Sequence, residues 1–137
     1  MSISIPTITK NIKIDFNNAL INLNNSNEEY NTVYEYNGYG DFYSCTINLD
    51  KKEIILLLKV DDNIIFEFDL EEYSNTINNA GIDFGIVPIA YDFDQKLLNI
   101  NFGNPIHYNS RIVICAKSND NRAKKIEGVV VLLTKDN

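Results

Sequence analysis

From Phe42 to Leu70 three apolar runs are separated by two three-residue polar breaks, Asp50-Lys51-Lys52 and Asp61-Asp62-Asn63. Breaks this short permit only a tight reversal, so the stretch predicts a β-meander. Within it Tyr43, Cys45, Ile47 and Leu49 face one way, and Phe42, Ser44, Thr46 and Asn48 the other. Ile54 to Val60 is apolar on both faces except at Lys59, the pattern of a central strand covered on both sides. Ile64, Phe66, Phe68 and Leu70 then alternate with Ile65, Glu67 and Asp69.

The same two-residue period extends along most of the chain. Ile12, Ile14 and Phe16 alternate with Asn11, Lys13 and Asp15 as a half-buried first strand. Between Asn17 and Asn31 a short helical turn and a loop fit equally well. Tyr34 and Tyr36 share one face of the next segment, with Val33 and Glu35 opposite. Leu70, Tyr73, Ile77 and Ala80 sit three and four apart, with Glu71 and Glu72 in the first turn and Gly81 as a stop. This predicts a helix over 69–80, capped by Asp69. Strands resume beyond Gly81, with Pro88 confining its segment to an edge or a bulge. Asp94-Gln95-Lys96 and Gly103-Asn104-Pro105 read as reversals, and Arg111–Ala116 and Ile126–Leu133 as a final pair. No repeat, linker or boundary interrupts residues 1–137. The expectation is a single, mainly β domain of antiparallel meander sheet with one short helix packed on a sheet face, or an α+β arrangement as the alternative.

Composition alters this picture little. A hydrophobic fraction of 45% and a charged fraction of 23% are ordinary for a globular chain. A net charge of −7 opposes phosphate neutralisation, so no nucleic-acid partner is expected. Cys45 and Cys115 fall inside apolar alternation and read as buried thiols, with a disulfide open if their strands pair. No basic leader precedes an apolar stretch at the N-terminus, and no apolar run approaches membrane-spanning length. The chain is therefore expected to be made in the cytoplasm, with export by another route.

Candidate chemistry is sparse. His107 is the sole histidine, without a recognisable nucleophile, and reads as a surface or turn residue. Asp92 and Asp94 share a strand face and would suit either a metal-dependent hydrolase or a solvated surface. The spacing of calcium loops and the glycine-rich phosphate loop are both missing, so no cofactor or metal is expected. Tyr36, Tyr39, Phe42 and Tyr43, interleaved with Gly38 and Gly40, suit a partner-binding surface or a turn whose aromatics plug the core. Arg111, Lys117, Arg122, Lys124 and Lys125 gather positive charge in the last quarter, fit for an anionic headgroup or an acidic partner, or for keeping the last strand soluble.

The Asn/Ile-rich texture, the size and the strand-rich organisation, including Tyr34-Glu35-Tyr36-Asn37-Gly38-Tyr39-Gly40-Asp41-Phe42, resemble the smallest OrfX-type accessory proteins. These are encoded beside botulinum-type neurotoxins in clostridial gene clusters. The resemblance implies kinship with tubular lipid-binding (TULIP-like) proteins, in which a twisted antiparallel sheet wraps an apolar helix. A chain of this length would supply only part of such a tube. It also implies assembly with a larger OrfX protein, release with a toxin complex and no enzymatic activity. The functional expectation is a non-catalytic accessory protein that docks a larger partner, with lipid binding as the alternative.

Overall fold

A computed structural model describes residues 12–17, 21–23, 30–72, 89–92, 95–120, 122 and 124–134. Their strands are β1 (Ile12–Asn17), β2 (Ile21–Leu23), β3 (Asn31–Asn37), β4 (Gly40–Leu49), β5 (Ile54–Val60), β6 (Asn63–Asp69), β7 (Ile89–Asp92), β8 (Leu97–Tyr108), β9 (Arg111–Ser118) and β10 (Lys124–Thr134). They form two antiparallel sheets. The first has six strands in the order β1-β10-β4-β8-β7, with β2 also on β10; the second has four, β3-β9-β5-β6. The mainly β, antiparallel architecture expected from the alternation is what the chain adopts.

One apolar core lies between the sheets. Cys45, Ile47 and Leu49 of β4, Leu98 and Ile100 of β8, and Val129, Val131 and Leu133 of β10 meet Ile54, Leu56 and Leu58 of β5 and Ile112 and Ile114 of β9. Aromatic rings join the layers at two points. Phe66 of β6 packs on Phe102 of β8 at 6.4 Å between centroids, and Tyr36 of β3 meets Tyr108 of β8 edge-on at 5.9 Å. Edge-on rings place a positive rim against a negative face, which favours this approach over a stacked one.

The meander is corrected at its first break. Only β5–β6 is a hairpin there; β4 pairs with β8 and β10 while β5 pairs with β6 and β9. The connection from Asp50 to Glu53 is therefore a corner between sheets. The final pair fails for the same reason, since β9 and β10 lie in different sheets. A polar break reports a change of direction but not the layer in which the next strand continues. The break at Gly103-Asn104-Pro105 is likewise no reversal. The strand runs through it as a bulge, its partners on β4 stepping from Ser44↔Asn101 to Phe42↔Ile106. A bulge accommodates a proline that cannot donate to the ladder.

Bulges and edges explain the other departures. The register shift between Thr32 and Tyr34 lets Val33 and Tyr34, predicted on opposite faces, both reach the core. In β1 the expected facing is reversed at two residues: Ile14 is 64% exposed, while Asp15, level with core-facing Val131, accepts a 2.8 Å hydrogen bond from the Tyr34 hydroxyl. An edge strand at the open flank of a sandwich can turn a carboxylate inward wherever a buried hydroxyl needs an acceptor. The Asp69 cap is present, its Oδ1 accepting from the N–H groups of Glu71 and Glu72 at 3.0 and 3.3 Å. Leu70–Glu72 are helical and Leu70 is buried in the core, whereas residues 73–80 of the predicted helix lie outside the described residues. Cys45 faces the core and Cys115 the opposite side of the second sheet, and both thiols are free.

At one end of the sandwich two connections meet around a carboxylate. The β5–β6 turn places Asp61 and Asp62 at φ 52° and 68°, the paired left-handed residues of a two-residue hairpin loop. Asp61 accepts from the N–H groups of Asn109, Ser110 and Arg111 and from the Ser110 hydroxyl, at 2.6–3.1 Å. Burial alone would raise its pKa, but these donors outweigh it and hold the carboxyl at about 2. Arg111 spans Asp62 and Glu35. Nearby, Gly40 passes so close to β10 that a β-carbon would stand 2.0 Å from the Thr134 carbonyl oxygen.

Two outcomes are expected from these contacts. Gly40→Ala should lower the urea unfolding free energy by about 2–4 kcal/mol, because backbone, unlike a side-chain tip, cannot move aside. Asp61 carries a depressed pKa, so its contribution is complete above roughly pH 4 and is lost as pH falls through the folded-state value. Asp61→Asn should therefore cost about 1–2 kcal/mol at neutral pH and flatten the acid side of a stability-against-pH profile.

Candidate functional site

The aromatic cluster separates into three environments. Phe42 is fully buried against Phe102 at 5.3 Å, which corrects its assignment as a partner-binding residue: the bulge at Tyr43, where β4 carries one extra residue against β10, turns it into the core. Tyr36 is half-buried on Tyr108, and Tyr43 is half-buried in β4. Tyr39, at the corner between β3 and β4, stands 46% exposed. The reading of a turn with aromatics plugging the core thus describes Phe42 and Tyr36, and not Tyr39.

His107 is joined to a residue that sequence reading had not paired with it. Its Nδ1 lies 3.0 Å from Oδ1 of buried Asp41, the cross-strand partner on β4. Its Nε2 lies 3.0 Å from the Asn109 side-chain oxygen, a group with no hydroxyl or thiol to activate. The signal that could have found the pair is register, which a lone histidine and a distant aspartate do not reveal. Burial pushes the Cys45 thiol up to about 12 and raises that of Cys115 as well, so neither is a thiolate at neutral pH. Among the described residues no three His, Cys, Asp or Glu side chains cluster to hold a metal ion. The Asp92 side chain and Asp94 lie outside the described residues.

The basic residues are dispersed over the molecule. Arg111 belongs to the Asp61–Asp62 end, and Lys117 stacks its ammonium 4.5 Å from the Tyr30 ring centroid on the outer face of the second sheet. There Tyr30 covers Leu57, Val113 and Cys115, which gives β5 the second apolar covering that its sequence predicts. Arg122 and Lys124 come together at the opposite end of the sandwich, beside exposed Lys125. Lys124 is fully buried despite its charge. Its ammonium pairs with Asp120 and donates to the Arg122 carbonyl at 3.0 Å and the Ser118 hydroxyl at 3.4 Å. The Lys124 hydrogen bond draws the Asp120 carboxyl down to about 2.

These two residues form one wall of a cleft of about 350 Å³, faced by Lys51, Lys52 and Glu53 of the β4–β5 corner. Tyr91 also lines it, its hydroxyl donating to the Leu49 carbonyl at 2.8 Å. Sequence reading placed Lys51 and Lys52 in a turn and assigned them no role. The corner between sheets is what brings them opposite Arg122.

Another exposed feature is β6. Among the described residues it pairs only with β5. Ile64 and Ile65 stand 61% and 46% exposed at a register shift against Lys59. Residues 61–72 carry six carboxylates, at Asp61, Asp62, Glu67, Asp69, Glu71 and Glu72, and no basic residue. Edge strands are ordinarily blunted by lysine or proline, and β6 has neither. On the core side the sheets close tightly: the apolar gap lined by Phe42, Leu56, Phe66 and Phe102 is about 10 Å³, no more than one water-sized void.

This is a two-sheet antiparallel β domain whose surface offers a charged cleft and an apolar strand edge. Neither a scan against protein-family models nor a search of the curated proteins returns a match.

The Lys124–Asp120 pair makes a direct prediction. Asp120→Asn leaves a buried ammonium without its counter-charge and should destabilise by roughly 2 kcal/mol, less than a wholly enclosed pair because Asp120 is a third exposed. Lys124→Met in the same background should recover part of that loss in thermal melts.

Proposed function

We propose that this protein is a non-catalytic interaction module that docks an extended, basic segment of a larger protein along the β6 edge. The supporting observation is the exposed Ile64–Ile65 pair on a strand without lysine or proline. Strand addition would satisfy the outward backbone groups of β6, and Ile64 and Ile65 would supply apolar contact. Asp61, Asp62 and Asp69 are already engaged by Arg111 and by hydrogen-bond donors, yet residues 61–72 with Arg111 keep an excess of negative charge that favours lysine and arginine in the incoming segment and disfavours an acidic one. The OrfX-type resemblance favours the same role, that of an accessory protein assembled on a larger partner and released with a toxin complex.

A non-catalytic reading is supported by the engagement of both His107 nitrogens and by thiols held protonated. For lipid, the alternative, the gap lined by Phe42, Leu56, Phe66 and Phe102 is too small for an acyl chain, and the surface cleft suits a headgroup.

Affinity purification from the native source, run with wild-type protein and with an Ile64→Lys/Ile65→Lys variant, tests this reading. Wild type is expected to retain a basic partner that protects β6 amides from hydrogen exchange. The variant should lose it while keeping its melting temperature. Recovery of monomer alone from both proteins would defeat the idea.

A further inference from the structure

The cleft at the other end of the sandwich is independent of β6 and has a chemistry of its own. Four cations, Lys51, Lys52, Arg122 and Lys124, face three carboxylates, Asp50, Glu53 and Asp120, a net of one positive charge in a chain of −7. Two of those carboxylates are already engaged. Asp120 holds Lys124, and Asp50 accepts from the Lys125 N–H at 3.0 Å. The side chains of Lys51, Glu53 and Arg122 make no ion pair among the described residues.

Both walls are fixed before any ligand arrives. Asp50 also donates its N–H to the Lys125 carbonyl at 3.2 Å, and the Asn119 N–H donates to the Glu53 carbonyl at 3.2 Å. The first bond joins the β4–β5 corner to β10, and the second joins it to the segment after β9. On the facing wall Asp120 accepts from the Arg122 N–H at 3.0 Å, and Lys124 donates to the Arg122 carbonyl. Arg122 is thus held by its own backbone from both sides. Fixing loops in advance removes an ordering cost that a ligand would otherwise meet. A volume of about 350 Å³ suits a small polar molecule.

We propose that this cleft binds a compact zwitterion in which a phosphate group lies beside an amine. Arg122 and Lys51 take the phosphate oxygens, the guanidinium offering its paired donors. Glu53 takes the ammonium, and the Tyr91 ring forms an apolar wall. A simple dianion would leave the Glu53 carboxylate facing like charge, so the amine is the part that selects the ligand. Free phosphoethanolamine and the headgroup of phosphatidylethanolamine share this chemistry.

Titration of the full chain, followed by amide chemical shifts, tests the assignment with O-phosphoethanolamine and inorganic phosphate as probes. Phosphoethanolamine should give saturable shifts confined to residues 50–53 and 118–122, with affinity roughly tenfold above inorganic phosphate, the scale of one ion pair. Glu53→Gln should erase that difference while leaving phosphate binding in place, and Arg122→Ala should weaken both ligands without lowering the melting temperature. Co-sedimentation with phosphatidylethanolamine vesicles, but not phosphatidylcholine vesicles, would identify the membrane as the source; binding of the soluble probe alone would identify the free metabolite. Absence of saturable shifts, equal affinity for the two probes, or shifts indifferent to Arg122→Ala would each overturn the proposal.

Discussion

Contact between two apolar sheet faces is the constraint on which the rest of this molecule depends. Neither sheet is stable with its inner face in water, and each buried row gains by excluding that water. Cys45, Ile47 and Leu49 lie in one row with Val131, Val129 and Ile126 of β10 and Ile100 and Leu98 of β8, and that row is covered by β5 and β9 across the core. The polar features are arranged around this contact. The Tyr108 hydroxyl donates to the Thr134 carbonyl at 2.6 Å, and the Asp41 N–H to the Thr134 hydroxyl at 2.7 Å, so the buried polar groups at that end are answered within the first sheet.

The two ends of the sandwich solve the problem of chain corners with charge. At one, Asp61 gathers the N–H groups of a neighbouring corner, doing for a β-turn what a cap does for a helix. At the other, Lys124 is enclosed and neutralised by Asp120. Enclosing a lysine is seldom the cheapest route to stability, but it fixes geometry, and the fixed geometry is what holds Arg122 opposite Lys51. Buried charge at one layer of the cleft thereby holds exposed charge in place at the next.

Much of this architecture was legible along the chain because a period of two survives wherever one face is buried. The alternation located β4, β5, β6, β9 and β10 closely, and Asp69 announced the helical turn after β6. What could not be read was the layer in which each strand lies. Asp50-Lys51-Lys52 and Asp61-Asp62-Asn63 look alike as polar breaks, yet one changes sheets and the other turns a hairpin. Phe42 was misplaced because β4 carries one extra residue against β10 at Tyr43, which reverses the apparent face. The cleft was half visible: Arg122 and Lys124 stood out as a basic run, while Lys51 and Lys52 reach it only through a non-local corner.

The placement of β10 carries one more consequence, for how the chain acquires its shape. This strand lies between β4 on one side and β1 and β2 on the other, although it is the last to be synthesised of all those in the sheet. Until it arrives, β4 lacks one neighbour, and among the described residues β1 and β2 have no other strand to pair with. Apart from β5–β6 and β7–β8, successive strands do not pair with each other, so most pairings close large loops. Such a topology commits late and all at once, leaving the nascent polypeptide dependent on whatever shields its unpaired edges during translation.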